Sequence, residues 1–411
     1  MASPVSSSLL RDRDVALVWA AGLISVTGNL AMFVALPVAV FDSTGSSWAT
    51  AVTALAGAAP TVLVGQVAGV VADRVDRRRL LAAANVVMVL LTCAFLALPD
   101  DVWWPFAVVN LLVMSAAQFA GPAEHALVGD LVPPSRLGEG ASLNALNNNI
   151  ARLVGPALGG LVFAQLGFRA TVVLDAVTFL IAAALVALVS RCRRGGDGSR
   201  SMIWAFVAEW RVAVRKIWSH PELRPLVLLA AVVMFGEGAI AALMAPFTRE
   251  VLGGGAGLLG GMLAAQAIGG IAGAWWASRN ADERSPLQLL GGAALASGLL
   301  LVVIFNYALF YPHPWPAVVL TGVAGFPFAV FGAAQGYALQ IYAPPELRGR
   351  VYSLSFGVLS LAQLSGIAIA GLAAERWGPL MINIDAAGYL ITGAVAVRLA
   401  RRREMGGREP G

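Results

Sequence analysis

The sequence is poor in charge. Asp, Glu, Lys and Arg make up 12% of its 411 residues, about half the share of a globular domain. That shortfall excludes an ordinary water-soluble fold, whose surface has to be charged. Histidine (3) and cysteine (2) are scarcer still. Cys93 lies in an apolar run and Cys192 in a basic one, so no disulfide framework is expected. His125, His220 and His313 are far apart and lack metal-ligand spacing. No Gly-rich phosphate loop ending in Lys and Ser or Thr is present, which argues against ATP as a direct energy source. Neither a nucleophile elbow nor a paired-carboxylate arrangement stands out, so no enzyme, catalytic residue, metal or cofactor is expected. No small-residue cleavage pattern follows Arg11 and Arg13, and the first apolar run reads as a span, not a cleaved leader.

What is present is apolar sequence. Hydrophobic residues reach 58%, glycine numbers 45, and the mean hydropathy is +0.77. Crossing a bilayer takes about 20 apolar residues as a helix. Twelve such stretches occur, at 15–40, 49–72, 80–98, 103–122, 141–164, 170–189, 225–248, 257–276, 287–310, 316–340, 351–374 and 380–399. The net charge of +5 could suggest nucleic acid, but its position argues otherwise. Of the 28 Lys and Arg residues, 24 fall in alternate connections or at the ends, three (Arg169, Arg249, Arg376) fall on the other side, and Arg152 lies inside a span. By the positive-inside rule both termini are cytoplasmic, and the expected location is the inner (cytoplasmic) cell membrane.

The two halves are copies. PPSRLGEGASL at Pro133–Leu143 matches PPELRGRVYSL at Pro344–Leu354 at an offset of 211, which also relates Gly155 to Gly366 and Gly160 to Gly371. DAVTFLI at Asp175 matches DAAGYLI at Asp385, and Gly28-Asn29 aligns with Gly236-Glu237. The expected fold is therefore all-α and integral to the membrane, with twelve transmembrane helices in two pseudo-repeated six-helix bundles. Residues 1–189 form the first bundle, 190–223 a basic cytoplasmic linker, and 224–411 the second bundle with a basic tail. Within the linker, Ile203, Val207, Trp210, Val214 and Ile217 have helical spacing, as in an amphipathic helix on the membrane surface or packed on the bundles. Repeats of this kind mark transporters that bind cargo between their halves.

The loop after the second span, GVVADRVDRR at Gly69–Arg78, resembles the signature of the major facilitator superfamily, departing from it at Asp76. The fifth span carries GPALGG, with Gly155, Pro156, Gly159 and Gly160, similar to the end of a motif associated with exporters. FAGPAEHALVGDLVPPSRL at Phe119–Leu137, NNIARLVGPALGG at Asn148–Gly160 and VRKIWSHPELR at Val214–Arg224 resemble the branch containing macrolide, tetracycline and enterobactin effluxers. The resemblance implies efflux of amphipathic small molecules by alternating access, coupled to protons. It also implies a gating role for Gly69, Asp73, Arg74, Arg77 and Arg78, with Glu124 or Asp130 as acidic partners of Arg77 or Arg78.

Ionisable groups inside spans are expensive and are functional candidates by default. Glu237 lies near the middle of span seven, between Gly236 and Gly238, opposite Asn29 of span one in the repeat. It is the first candidate for exchanging a proton or pairing with a cationic cargo; the alternative is a hydrogen-bonded packing role. Arg152, near the middle of span five, needs a carboxylate, a carbonyl, water or an anionic cargo group. Glu237, Asp175 and Glu124 are its possible internal partners. Asp175 and Asp385 repeat in both halves, which points to a shared structural task more than to proton transfer. The expected partners are a small-molecule substrate, protons and the lipid bilayer, with no nucleic acid, and the protein is expected to be a monomer. Competing readings are a lipid, siderophore or metabolite exporter or facilitator without proton coupling, and a non-transporting receptor or enzyme on the same fold.

Overall fold

The computed structural model describes residues 9–99, 102–190, 218, 223–280, 285–343 and 348–406. The amphipathic helix expected at 203–217 and most of the linker lie outside the described residues.

Helices account for nearly all of it, and local chemistry sets where they start and stop. Helix α1 (Arg13–Thr44) starts at Asp12, whose carboxylate accepts from the Asp14 N–H at 3.0 Å. It ends at Gly45, where a φ of 62° lets the cap N–H reach the Phe41 carbonyl. Helix α2 (Ser47–Leu63) is capped by the Ser46 hydroxyl, which accepts from Ala49 N–H at 3.1 Å. Helix α3 (Gly65–Arg74) follows at a bend of 53°. Helix α4 (Arg77–Ala94) starts at Asp76, which accepts from Arg79 N–H at 2.9 Å. The departure from the family loop is thus a helix cap, a position that favours Asp.

Helices α5 (Trp104–Leu131) and α6 (Leu137–Ala187) complete the first half. The 51 residues of α6 turn at Gly167, whose φ of 82° and ψ of −179° suit glycine, and so form two limbs. The second half contains α7 (Leu223–Glu250), α8 (Ala256–Asn280), α9 (Pro286–Asn306), α10 (Trp315–Tyr342), α11 (Arg348–Trp377) and α12 (Asn383–Gly406). Ten helical segments among the described residues are long and apolar enough to cross a membrane. With the bent α2–α3 pair taken as one span and α6 as two, the spans number the twelve expected.

The chain divides into two compact units, one of Met1–Gly198 with Gly255–Ala264, the other of Ser199–Gly254 with Ala265–Gly411. In lipid, apolar burial does not drive helices together, so close backbone approach has to. In the first unit α1 lies along α6. A Cβ at Gly159 would collide with the Ala31 backbone, and one at Gly155 would stand 2.7 Å from Leu30 Cβ. The first turns of α8 belong to this unit because Gly160 meets the Ala256 carbonyl and Gly260. Phe95, Phe106 and Phe168, with ring centroids 5.8–6.0 Å apart, fill the space between α4, α5 and the second limb of α6. In the second unit α7 lies along α11, and a Cβ at Gly238 would stand 2.8 Å from Ile367 N. The repeat in sequence is therefore also a repeat in packing.

Candidate functional site

The acid of each half repeat packs on a glycine of the helix that opens that half. In the first unit Asp175, on the second limb of α6, is 2% exposed. A Cβ at Gly28 of α1 would stand 2.7 Å from its Oδ1. In the second unit Asp385, near the start of α12, is fully buried. A Cβ at Gly236 of α7 would stand 2.6 Å from Asp385 Cα and 2.5 Å from its Oδ1. Asp175 Oδ1 and both Asp385 carboxyl oxygens have no hydrogen-bond partner among the described residues. Buried polar groups normally have one, so these two carboxyls are costly to the fold.

The halves differ one turn along the acid's helix. In the second unit that position is Tyr389, which is 3% exposed. Its hydroxyl donates to Glu237 Oε1 at 2.8 Å. Its ring lies between Phe328 and Phe331 of α10, with centroids 5.2 and 5.4 Å away. Glu237, half-buried, is thus bonded to Tyr389 and is the chain neighbour of the glycine on which Asp385 rests. In the first unit the matching residues are Phe179, which has no hydroxyl, and Asn29, half-buried on α1. Among the described residues, the second unit thus couples the residue after its glycine to the helix that carries the buried acid through a side-chain hydrogen bond, and the first unit has no matching bond between Asn29 and Phe179.

Motif analysis had not singled out Tyr389. Its one signal was its place four residues after Asp385, hence on the same helix face.

The signature loop is anchored within the first unit. Arg77 Nη1 lies 2.6 Å from Asp130 Oδ1 and also donates to the Ala126 carbonyl at 3.3 Å. Arg78 donates to the Ala187 carbonyl at the end of α6, at 2.6 Å. Of the two acids expected near these arginines, Asp130 is the partner. Glu124 turns instead to α1, where its carboxyl occupies the space left open by Gly22. Asp73 and Arg74 are exposed, and a Cβ at Gly69 would meet no described atom within 4 Å.

Pro156 and Gly160 lie buried against α8, and Gly155 and Gly159 against α1. Arg152, one turn before Pro156, forms no ion pair with Glu237, Asp175 or Glu124. Its side chain is exposed.

A family profile described as transmembrane secretion effector matches residues 4–408. The chain belongs to this family, within the major facilitator superfamily. Like other members, it is a multi-pass membrane protein of a transporter fold. It is 27% identical over 405 residues to the multidrug efflux pump Tap of Mycolicibacterium fortuitum, across 95% of this chain and 96% of that one. It is 25% identical over 367 residues to macrolide efflux protein A of Streptococcus pyogenes, across 88% and 89% of the two chains. Among solved structures, a bacterial homologue of the human lysosomal transporter Spinster, in an inward-facing state, covers 100% of both chains with a TM-score of 0.69 at 18% identity. At that identity the likeness concerns the fold alone.

Proposed function

We propose that this secretion-effector family member exports amphipathic small molecules, drugs among them, from the cytoplasm across the inner membrane by alternating access. In this reading the halves 1–189 and 224–411 rock about the 190–223 linker, the working unit is a monomer, and both termini are cytoplasmic. No reaction on the cargo is involved. Proton exchange at Glu237 drives the cycle, with Asp385 and Tyr389 setting its surroundings.

The observation that carries this reading is the Tyr389–Glu237 hydrogen bond, placed in a span beside the buried Asp385. A carboxyl held by a neutral donor can keep one hydrogen bond whether it is ionised or protonated. It can therefore release and regain a proton as water reaches the pocket from one side and then the other. The N-terminal equivalents of this pair, Asn29 and Phe179, cannot titrate, so among the described residues this hydrogen-bonded carboxyl is a feature of the second half. The printed functions of the Tap and macrolide relatives support the cargo class. The Arg77–Asp130 and Arg78–Ala187 contacts hold the loop that carries Asp73, and this fits a lock on the cytoplasmic side.

The test is Glu237→Gln in reconstituted vesicles with an imposed pH gradient. Cargo should still bind, while uphill export should fall to the leak rate. Normal uphill export by this variant would remove Glu237 from the coupling mechanism.

A further inference from the structure

In the first limb of α6, Asn144, Asn148 and Arg152 recur every fourth residue and so share one face. The row is about 12 Å long at 1.5 Å per residue. Helix α5 extends it sideways, since the Asn144 amide nitrogen lies 2.8 Å from His125 Nδ1. The Asn148 amide donates to the Asn144 carbonyl at 3.0 Å, which leaves its own oxygen available. His125, Asn148 and Arg152 are exposed, and the Arg152 guanidinium has no hydrogen bond or ion pair among the described residues.

Exposure in a membrane helix can mean lipid or water, and the helix itself distinguishes them. Asn147, Ala151, Gly155 and Gly159 are buried on the side facing α1. Continuing the row of Arg152 by fours reaches Pro156 and Gly160, which are buried against the first turns of α8. The exposed apolar residues Leu146, Val154 and Leu161 lie on the opposite side of the helix and form its lipid face. The row therefore adjoins the side packed on α1 and points away from the apolar face. An unpaired charge midway along a span is tolerated where it meets a water-filled cavity.

We propose that the His125–Asn144–Asn148–Arg152 row is an oxyanion subsite for cargo. Arg152 takes a carboxylate through its planar fork, and the amides bond the polar atoms beside it. The cargo it selects is an amphipathic acid or zwitterion, not a purely cationic molecule. This assignment rests on the export reading above.

The test uses three alkylnaphthalene probes of equal length, ending in a carboxylate, a neutral amide or a quaternary ammonium. Each is titrated by fluorescence onto the purified full chain. The wild type should bind the carboxylate probe best. Arg152→Gln should lose about tenfold for that probe and little for the others, as expected for one lost charge-assisted bond. Arg152→Lys should keep part of the preference, and Asn148→Ala should weaken the carboxylate probe severalfold. An equal loss for all three probes, no loss, or a wild-type preference for the ammonium overturns the subsite. If Arg152→Gln does not fold, Arg152→Lys and Asn148→Ala decide by the same criterion. Added phosphatidylglycerol should leave the carboxylate affinity unchanged; competition by it would make lipid, not cargo, the occupant and overturn the assignment. Failure of the export reading looks different: the carboxylate probe binds through Arg152, but wild-type vesicles do not export it under a pH gradient.

Discussion

Replacing Tyr389 with Phe removes one oxygen and little else. The ring stays between Phe328 and Phe331, so packing is kept. What is lost is the 2.8 Å bond to Glu237 Oε1, at a site that is 3% exposed on the tyrosine side and where water is a poor substitute. A net hydrogen bond contributes about 1 kcal/mol, and one to a charged group about 1.5–3 kcal/mol. Bonds between membrane helices average about 0.6 kcal/mol, with a maximum near 1.7 kcal/mol. The expected cost of Tyr389→Phe is thus about 1–1.5 kcal/mol. Denaturant unfolding in detergent micelles would measure it, as one edge of a double-mutant cycle with Glu237→Leu, which removes the acceptor. The coupling energy should be about 1 kcal/mol, with the double variant less destabilised than the sum of the singles. Gradient-driven export by Tyr389→Phe should fall while cargo binding is kept. A coupling energy below about 0.3 kcal/mol, within the error of additivity, would refute the bond and the reasoning built on it.

The other predictions concern packing and the signature loop. Gly236→Ala would press a methyl group into Asp385, whose Cα is 2.6 Å from the new Cβ; overpacking of this kind costs about 1–3 kcal/mol. Gly261→Ala, on α8 with no described atom within 4 Å, should be neutral or slightly stabilising in the same unfolding assay. Equal stability of the two variants would contradict the packing of Asp385 on α7. Arg77→Ala leaves Asp130 largely buried without its 2.6 Å partner and should cost about 2 kcal/mol. Adding Asp130→Asn should recover part of that loss, and simple additivity would show that the pair is not coupled.

Much of the fold was legible in the sequence because a bilayer enforces a simple rule. A chain crossing hydrocarbon must satisfy its own backbone, so apolar length alone marks a span. The only ambiguities in counting spans were bends, at the α2–α3 junction and at Gly167. Partnerships were less legible. Asp130 and Glu124 lie six residues apart on one helix, and both were candidates for Arg77. The tertiary fold turns Asp130 to the arginine and Glu124 to Gly22. Tyr389 went unremarked because an aromatic residue in an apolar run resembles ordinary packing until its hydroxyl is seen to meet Glu237.

Composition and spacing were enough for the membrane class, the repeated halves and the charged loop. They also marked Glu237, Arg152, Asp175 and Asp385 as costly residues in apolar spans. How they differ came from the folded chain. It buries the two aspartates on glycines, gives Glu237 a hydroxyl partner, and leaves Arg152 exposed without an ion pair among the described residues. The physical reason is that desolvation depends on what surrounds a side chain, and residues far apart in the sequence supply those surroundings.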